Sequence, residues 1–363
     1  MGKGLVKTFL QIINNIHHMK KFCLFLALAG IAVGAFSCAK EYSPMSDTAK
    51  ADLVEVMPLT KSVANDTIVV VVYVETNDVN PLNAGDYCMD GAPFVDIVEL
   101  FAANIHKETV NGVVRPTLYL NDKLTPVLED GGYLDYVVPL QEKGMKVLLT
   151  VLGDWAGLGV ANMNATQRQQ FAEILAYAVD AYGLDGIGFD DEYANYSGSL
   201  ISGSFGDIIV RLRALLGDDK LITVFQYGNY GSSQISATAG AQIDYAYPNF
   251  NSWYSSSSIS GVTTPHWAPY SLNLGYNYGS YYSSYFQNIA SSAVSGGYGA
   301  LMFFNLRRRS DVDPLPVFQY YAAGAYGSTV SMCTNVESGV TAGDRPRDAG
   351  SVDGGFTITY DDI

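Results

Sequence analysis

The chain has 363 residues, 48% of them hydrophobic and 16% charged, which is enough apolar material for one large core or two small ones. Its 36 Asp and Glu outnumber its 21 Lys and Arg, and the formal net charge of −15 argues against nucleic-acid binding, because an acidic protein repels phosphate backbones. Aromatic residues reach 12%, including 26 Tyr, which excludes a disordered chain and suits neutral ligands with stacking faces, sugars among them.

The N-terminal segment has the pattern of an export signal that starts at Met19. Two lysines open it, and the apolar run over 22–36, about 15 residues, is shorter than the roughly 20 that a membrane-spanning helix needs. Small residues then lead to Cys38, as in a bacterial lipoprotein signal whose cysteine becomes the lipidated first residue. A plain secretory peptide or an uncleaved anchor is the alternative. We therefore expect a signal peptide over 1–37 and an exported bacterial lipoprotein, anchored in the cell envelope at the outer membrane or cell surface.

The segment over 38–66 is polar and has no periodicity, which predicts a lipidated, flexible tether. Beyond the signal the chain has two cysteines, Cys88 and Cys333, too few for a disulfide framework. A single bridge between them stays open, because their sequence spacing does not give their distance. We expect a monomer whose membrane contact is through the lipid anchor only.

From residue 67 onward, predicted strands alternate with predicted helices. The first strand is a continuous β-branched run, typical of a parallel strand that is buried on both faces. The predicted strands are 68–74, 95–104, 146–153, 184–192, 221–227, 243–250, 271–276 and 299–305. The predicted helices are 123–142 (interrupted near Gly131 and Gly132), one that starts at Thr166, 205–216, 285–294 and 315–321.

Alternating βα units imply a parallel sheet. Eight strands at this length predict an α/β fold, a single (β/α)8 TIM-type barrel over 67–327, better than an open doubly wound sheet. A dinucleotide-binding fold has no local support, because no GxGxxG follows the first strand. The remaining residues, 328–363, are predicted to be a C-terminal extension, and the alternation at 356–360 favours one edge strand.

The predicted strand over 184–192 ends in three acids, at the end of a barrel strand where function is usually located. Side chains alternate along a strand, so Asp190 and Glu192 project the same way and Asp191 projects toward the helix layer or the rim. Two close carboxyl groups cannot both ionise freely. One of them therefore stays protonated near neutral pH, as the cleavage of a glycosidic bond requires.

Two alternatives to catalysis exist for these acids: a solvated acidic loop, and a site for Mg²⁺ or Ca²⁺ held by three carboxylates. Neither a His nor a second acidic cluster stands near them in the sequence. The prediction is therefore an enzyme without a metal or other cofactor.

The stretch YGLDGIGFDDEY over 182–193 resembles the DGxDxDxE signature of the fourth strand in glycoside hydrolase family 18. More narrowly, the chain is similar to the bacterial endo-β-N-acetylglucosaminidases of endoglycosidase H and F type. These enzymes cut the GlcNAc-β1,4-GlcNAc chitobiose core of N-linked glycans on glycoproteins. The likeness covers roughly 67–327, and the other stretches that carry it are 72–85, 101–106, 146–159, 243–250 and 296–306.

The resemblance implies a role for three residues. Glu192 is expected to be the general acid that protonates the glycosidic oxygen. Asp190 is expected to orient the substrate's own 2-acetamido group and to stabilise the oxazolinium ion, so that no enzyme carboxylate acts as nucleophile and the configuration is retained. Tyr247 aligns with the family's Tyr that hydrogen-bonds the acetamido carbonyl, although core packing is the ordinary role of a strand Tyr.

The sequence departs from the family signature at one position, where Gly188 replaces the middle Asp. In the family this Asp shares a proton with the position of Asp190. Its loss either lowers activity or is compensated by a group from another strand, and it keeps open a non-catalytic, glycan-binding surface lipoprotein with a degenerate site.

Further substrate-binding candidates follow from their places at or just after strand ends, and Trp155 offers a stacking face for a sugar. They are Trp155, Gln226, Tyr227, Asn249 and Asn305. A chitinase of the same family is the other alternative, and Asn305, where a chitinase carries Trp, disfavours it. The arginines at 307–309 either pair with Asp311 and Asp313 or recognise a glycan carboxylate such as sialic acid.

Overall fold

The structure is a computed structural model that describes residues 68–196, 200–227, 231–307, 312–334 and 336–363. The predicted signal peptide, Cys38 and the tether lie outside the described residues. Within these ranges, no helix is both long enough and apolar enough to cross a membrane.

The strands in chain order are β1 (Val69–Glu75), β2 (Tyr87–Met89), β3 (Ala92–Pro93), β4 (Ile97–Val110), β5 (Val113–Leu120), β6 (Lys146–Gly153), β7 (Gly186–Asp190), β8 (Leu221–Gln226), β9 (Tyr245–Pro248), β10 (Ser271–Asn273), β11 (Ala300–Leu306), β12 (Val330–Met332) and β13 (Phe356–Ile358). The α-helices are α1 (Thr125–Leu128), α2 (Gly132–Tyr136), α3 (Val138–Glu142), α4 (Ala165–Ala181), α5 (Ser204–Leu216), α6 (Ala237–Gly240), α7 (Ser283–Ser295) and α8 (Leu315–Tyr326). Short 3₁₀ helices span Pro81–Asp86, Glu129–Gly131, Ser232–Gln234, Thr264–His266, Ser280–Tyr282 and Tyr360–Asp362.

Eight of the described strands form a nearly closed barrel in the order β10-β11-β1-β4-β6-β7-β8-β9. Each neighbouring pair in this order is parallel. A parallel bridge between Ala246 and Trp267 adds a contact on the open side. The eight strands coincide with the eight predicted runs, and the predicted (β/α)8 TIM-type fold is confirmed.

The barrel strands are apolar on both faces because each face packs into a different part of the core. In β1, Val70 and Val72 pack into the large cluster shared with the helices. Val71 and Tyr73 alternate with them along the strand and pack into a smaller cluster inside the barrel. Burial on both sides explains why this strand is an uninterrupted β-branched run rather than an alternating one.

The predicted helix over 123–142 is broken into α1, α2 and α3. Asp130 and Gly131 adopt left-handed conformations, with φ of 52° and 88°, which interrupt a right-handed helix. The interruption near the glycine pair is therefore confirmed.

The second barrel strand, β4, continues beyond its predicted end and turns back into β5, a hairpin that the sequence analysis missed. Asn111 and Gly112 form the turn, both with positive φ, which is the backbone that a two-residue hairpin loop demands. Strand β13 pairs antiparallel with β5, so the alternating residues near the C-terminus add a strand to the sheet.

The C-terminal extension is also fastened covalently and by charge to the segment after β1. A disulfide joins Cys88 of β2 to Cys333, so the bridge left open by the sequence is present. Asp86 is fully buried and accepts hydrogen bonds from the Arg345 side chain at 3.1 and 3.2 Å and from the Gly343 N–H at 2.9 Å. These contacts hold the extension against the barrel.

We expect Asp86→Asn to lower the free energy of unfolding by about 3–5 kcal/mol, because it removes the buried carboxylate that pairs with Arg345 and leaves that guanidinium only the exposed Glu337 carboxylate, 3.7 Å away. Asp361→Asn is the matched control, since its pair with Arg115 is largely exposed and is worth about 0–1 kcal/mol. Urea denaturation of the three proteins measures both effects. Equal losses in the two variants would contradict the anchoring role of Asp86.

Candidate active site

The carboxyl ends of the barrel strands surround a cavity of about 340 Å³, here called the main cavity. In a barrel of this type, functional residues collect at this end of the strands. The main cavity is lined by Tyr73, Glu75, Phe101, Asp190, Glu192, Tyr193, Phe225, Phe250, Phe304, Asn305 and Arg307.

Strand β7 brings Asp190 and Glu192 to the main cavity together, as their alternation predicts. Phe189 points the opposite way and packs its ring edge-on against Phe205 of α5, with ring centroids 5.3 Å apart. Asp191 also points away from the cavity and accepts a hydrogen bond from the Tyr196 hydroxyl. The three acids of the motif therefore occupy different environments.

The backbone after β7 is held beside the segment after β6, which fixes Glu192. The N–H of Gly153 donates to the Glu192 carbonyl at 3.0 Å, and the N–H of Trp155 donates to the Tyr193 carbonyl at 2.6 Å. A Cβ at Gly153 would lie 2.7 Å from the Glu192 carbonyl oxygen and closer still to the Ala194 backbone. Only glycine allows this approach.

Burial raises the pKa of Asp190 well above its ordinary value, and the negative charges of Glu192, Asp191 and Glu99 raise it further. Burial also raises the pKa of Glu192, against a hydrogen bond from Tyr193 that lowers it. Within the described structure, Asp190 Oδ1 is buried and has no hydrogen-bond partner. The pair therefore retains a proton at a higher pH than isolated carboxyl groups do.

A third carboxyl group, that of Glu99 on β4, lies inside the barrel and was missed by the sequence analysis. It is fully buried and accepts hydrogen bonds from Thr150 of β6 at 3.0 Å and from Thr223 of β8 at 2.5 Å. Burial raises the pKa of Glu99 to about 7, although both hydroxyl groups lower it. The signal in the sequence was a single Glu in the otherwise apolar run over 97–103.

Tyr247 of β9 is fully buried inside the barrel, and its ring meets that of Tyr73 edge-on at 6.2 Å. Both hydroxyl oxygens are buried without a hydrogen-bond partner among the described residues. Burial raises the pKa of both hydroxyl groups, so each remains a donor at any ordinary pH. Tyr73, which lines the main cavity, was also missed, and its signal was one polar tip in a run of valines.

The other predicted residues divide among three places. Asn305 lines the main cavity, where its Nδ2 donates to Asn273 Oδ1 at 3.0 Å. Gln226 and Asn249 line a neighbouring cavity of about 330 Å³ together with Pro248, Tyr254, Ser256, Ser258 and Trp267. The structure does not place these two amides in the main cavity lining.

Trp155 and Tyr227 are exposed, and each contacts an aromatic residue of the main cavity. The Trp155 ring lies 5.6 Å from that of Tyr193. The Tyr227 ring meets that of Phe250 edge-on at 5.8 Å. Trp155, the predicted stacking residue, and Tyr227, a predicted substrate-binding residue, therefore continue the aromatic wall of the cavity onto the rim.

Arg307 pairs with Glu75 and Asp78, each at 3.3 Å. Among the described residues Arg307 does not pair with Asp313, one of the predicted partners, because the neighbouring strands β1 and β11 bring the end of β1 beside it. Arg308, Arg309 and Asp311 lie outside the described residues.

Among the described residues, no cluster of three or more His, Cys, Asp or Glu side chains has an arrangement that would hold a metal ion. The polar groups that line the main cavity are carboxyl, hydroxyl and amide groups and the Arg307 guanidinium.

No protein-family model matches the sequence, but individual known proteins do. An endo-beta-N-acetylglucosaminidase of Flavobacterium sp. (strain SK1022) is 33% identical over 252 residues, covering 67% of this chain and 76% of that protein. Endo-beta-N-acetylglucosaminidase F1 of Elizabethkingia meningoseptica is 31% identical over 270 residues, covering 70% and 77%.

Among solved structures, Bacteroides thetaiotamicron EndoBT-3987 with Man5GlcNAc product is similar, with 28% identity and a TM-score of 0.59. The match covers 73% of this chain and 62% of that one, so this chain spans less than two thirds of that protein's length. The same protein in complex with Man9GlcNAc2Asn substrate gives 26% identity and a TM-score of 0.58, over 73% and 67% of the two chains.

The buried carboxyl group of Glu99 predicts a pH dependence of stability. Because burial raises the pKa of Glu99 from 4.5 to about 7, the folded protein holds this proton where the unfolded chain has lost it. The resulting stabilisation is fully present below about pH 4.5 and is lost as the pH rises through about 7. Glu99→Gln has no such pH-dependent stabilisation to lose, so the variant should gain stability relative to the wild type as the pH rises.

Urea denaturation of both proteins at several pH values between about 4.5 and 7.5 checks this. Glu99 also raises the pKa of Asp190, so the difference between the two proteins reports the titration of position 99 together with its effect on Asp190. A difference that does not change with pH would contradict the prediction.

Proposed function

The chain belongs to the endo-β-N-acetylglucosaminidases of glycoside hydrolase family 18, and we propose that it cleaves the chitobiose core of N-linked glycans at Asp190 and Glu192. The observation that carries this proposal is that both acids line one cavity at the carboxyl end of the barrel, with raised pKa values. The bond cut is the β1,4 bond between the two core GlcNAc residues.

Glu192 serves as the general acid. It lines the main cavity, and burial raises its pKa, so it keeps a proton to a higher pH than an isolated carboxyl group does. A carboxylic acid in this state can protonate the glycosidic oxygen as the bond to the anomeric carbon breaks.

Asp190 assists the substrate's own 2-acetamido group. The acetamido carbonyl oxygen attacks the anomeric carbon and forms an oxazolinium ion, which water then opens with retention of configuration. Asp190 Oδ1 accepts the acetamido N–H and balances the positive charge of the ion.

The unpaired polar atoms of the site support this arrangement. A buried polar atom without a partner costs about 1–3 kcal/mol, and Asp190 Oδ1 and the hydroxyl groups of Tyr73 and Tyr247 are all in that state. An acetamido group offers one N–H donor and one carbonyl acceptor. The carboxylate can take the donor, and a tyrosine hydroxyl can donate to the carbonyl, with Tyr247 in the role that the resemblance implies.

The walls of the main cavity suit sugar rings. Phe225, Phe250 and Phe304 pack edge-on against one another with centroids 5.6–6.3 Å apart. Aromatic faces of this kind cover the apolar faces of pyranose rings. Trp155 and Tyr193 extend the aromatic surface to the exposed rim, where the glycan continues outward.

A single reaction separates this function from its alternatives. The soluble protein is incubated with a glycoprotein that carries one defined N-glycan, and both products are weighed by mass spectrometry. One cut that leaves one GlcNAc on the protein and releases a glycan ending in GlcNAc supports the proposal. Cleavage of chitin oligosaccharides alone would favour a chitinase, and binding without cleavage would favour a glycan-binding protein.

We expect Glu192→Gln to lower turnover by about 10²- to 10⁴-fold while glycan binding persists, because only the transferable proton is lost. Asp190→Asn should slow oxazolinium formation but retain more of its activity on a preformed oxazoline donor. Turnover on the glycopeptide and on the oxazoline, measured for each variant, checks both roles.

Asp191→Asn is the matched control, because it makes the same carboxyl-to-amide change at a neighbouring residue that points away from the cavity. It should lower turnover far less than Glu192→Gln does, because it leaves both cavity carboxyl groups in place and removes only one of the charges that raise the pKa of Asp190. An unchanged turnover in Glu192→Gln would contradict the assignment of the acid, and equal losses of Asp190→Asn on both substrates would contradict its orienting role.

We also propose that the enzyme is an exported lipoprotein that acts on glycans outside the cytoplasm. The support is the sequence before the barrel, where a basic start and a short apolar run lead to Cys38. The polar residues over 39–66 would separate the lipid from the barrel and let the main cavity reach large glycoproteins.

Cys38→Ala should move the protein from the membrane fraction to the soluble fraction, because the lipid supplies most of the attachment. Fractionation of cells that express each form checks this, with Cys23→Ala as the matched control within the apolar run. Membrane association that persists in Cys38→Ala would mean that the apolar run itself is the anchor.

A further inference from the structure

Gly188 of β7 has no side chain, and a residue from another strand occupies the space beside it in the barrel interior. A Cβ built at Gly188 would lie 3.0 Å from the Glu99 carboxyl carbon and closer still to its Oε2. It would also lie 2.8 Å from the Thr223 hydroxyl oxygen. Any side chain at 188 would therefore enter the volume that the Glu99 carboxyl group occupies.

The strand register shows how Glu99 reaches this place. Gly188 is paired with Thr150 on one side and with Thr223 on the other. The two oxygens of Glu99 accept one hydrogen bond from each of these threonines, so the carboxyl group extends across β7 over Gly188. A carboxyl group carried by residue 188 itself would have the same two hydroxyl neighbours.

The Glu99 carboxyl group also acts on Asp190, which lies two residues after Gly188 on β7 and projects to the same face. The charge of Glu99 contributes to the raised pKa of Asp190 and to those of Tyr73 and Tyr247, so it lies in electrostatic contact with all three. These are the titratable groups that face it from β7, β1 and β9.

We propose that Glu99 is the positioning residue for Asp190, supplying from β4 the carboxyl group that the family signature carries at position 188. This inference rests on the proposed function. It explains why Asp190 and Glu192 are both present although Gly188 stands where the signature has its middle Asp.

The proton balance is simple. In this arrangement Glu99 and Asp190 share one proton, because their two carboxyl groups cannot both be ionised in the buried interior. When the acetamido N–H binds Asp190, the O–H bond of Asp190 breaks and an O–H bond forms on Glu99. The total charge of the pair is unchanged, and Asp190 is left as the carboxylate that faces the oxazolinium ion.

An exchange of the carboxyl group between the two positions tests the proposal. Glu99→Ala should lower kcat on the defined glycopeptide by about 100-fold with KM within about threefold of the wild type. The double variant Glu99→Ala with Gly188→Asp returns a carboxyl group to the same space from β7 and should recover most of the lost kcat. Glu99→Ala with Gly188→Asn, which fills the same volume without an acid, should not recover it.

The pH profile of Glu99→Gln gives a second readout that a purely structural role would not move. The amide keeps the shape and can still bond both threonines, but it no longer raises the pKa of Asp190. The acid limb of kcat/KM should therefore move to lower pH than in the wild type. This variant decides the question if a double variant does not fold, as judged by its unfolding midpoint.

The failure of this inference is distinct from the failure of the proposed function. A wild type that does not cleave the glycopeptide would overturn the proposed function and with it the basis of this inference. An active wild type with a Glu99→Gln variant of unchanged kcat and pH profile would overturn the inference alone. Equal activity of the Asp and Asn double variants would also overturn it.

Discussion

The organisation of the site depends on one constraint: carboxyl groups buried close together in a closed barrel cannot all be ionised. Asp190, Glu192 and Glu99 lie within this interior, and burial is the largest cause of the raised pKa of each. Of the described residues that line the main cavity, Arg307 is the cationic one, and its guanidinium already pairs with Glu75 and Asp78. The surplus of negative charge is therefore met with protons and hydroxyl donors rather than with cations.

The sequence predicted those parts of the molecule whose signal is contiguous. The barrel strands are apolar runs because both faces are buried, and the main acids stand two residues apart on one strand, so alternation alone places them together. Glu99 could not be placed in this way. It lies 89 residues before Gly188 in the chain, and only the order of β4, β6, β7 and β8 in the barrel brings its carboxyl group across Gly188.

The hairpin of β4 and β5 was missed for a different reason. Its turn, Asn111-Gly112, is a strong local signal, but the expectation of one helix after each barrel strand directed attention away from it. The hairpin has a structural consequence, because β5 provides the edge on which β13 pairs. Together with the buried contact of Asp86 and Arg345, this edge explains how a Gly- and Asp-rich extension without a core of its own is held in a fixed place.

The three consecutive acids at the end of β7, Asp190 and the two residues after it, lie in different surroundings and therefore have different chemistry. Asp190 faces the interior, where burial and the negative charges of Glu192, Asp191 and Glu99 raise its pKa. Asp191 faces outward and is held by the Tyr196 hydroxyl, which itself accepts a hydrogen bond from the Ala161 N–H, so this acid fastens the following loop. Glu192 lies on the cavity side after the end of β7, where its backbone carbonyl accepts from the Gly153 N–H and its side chain is hydrogen-bonded to Tyr193. Its carboxyl group lines the main cavity and can exchange a proton with a substrate, whereas the buried Asp190 is better placed to hold a charge.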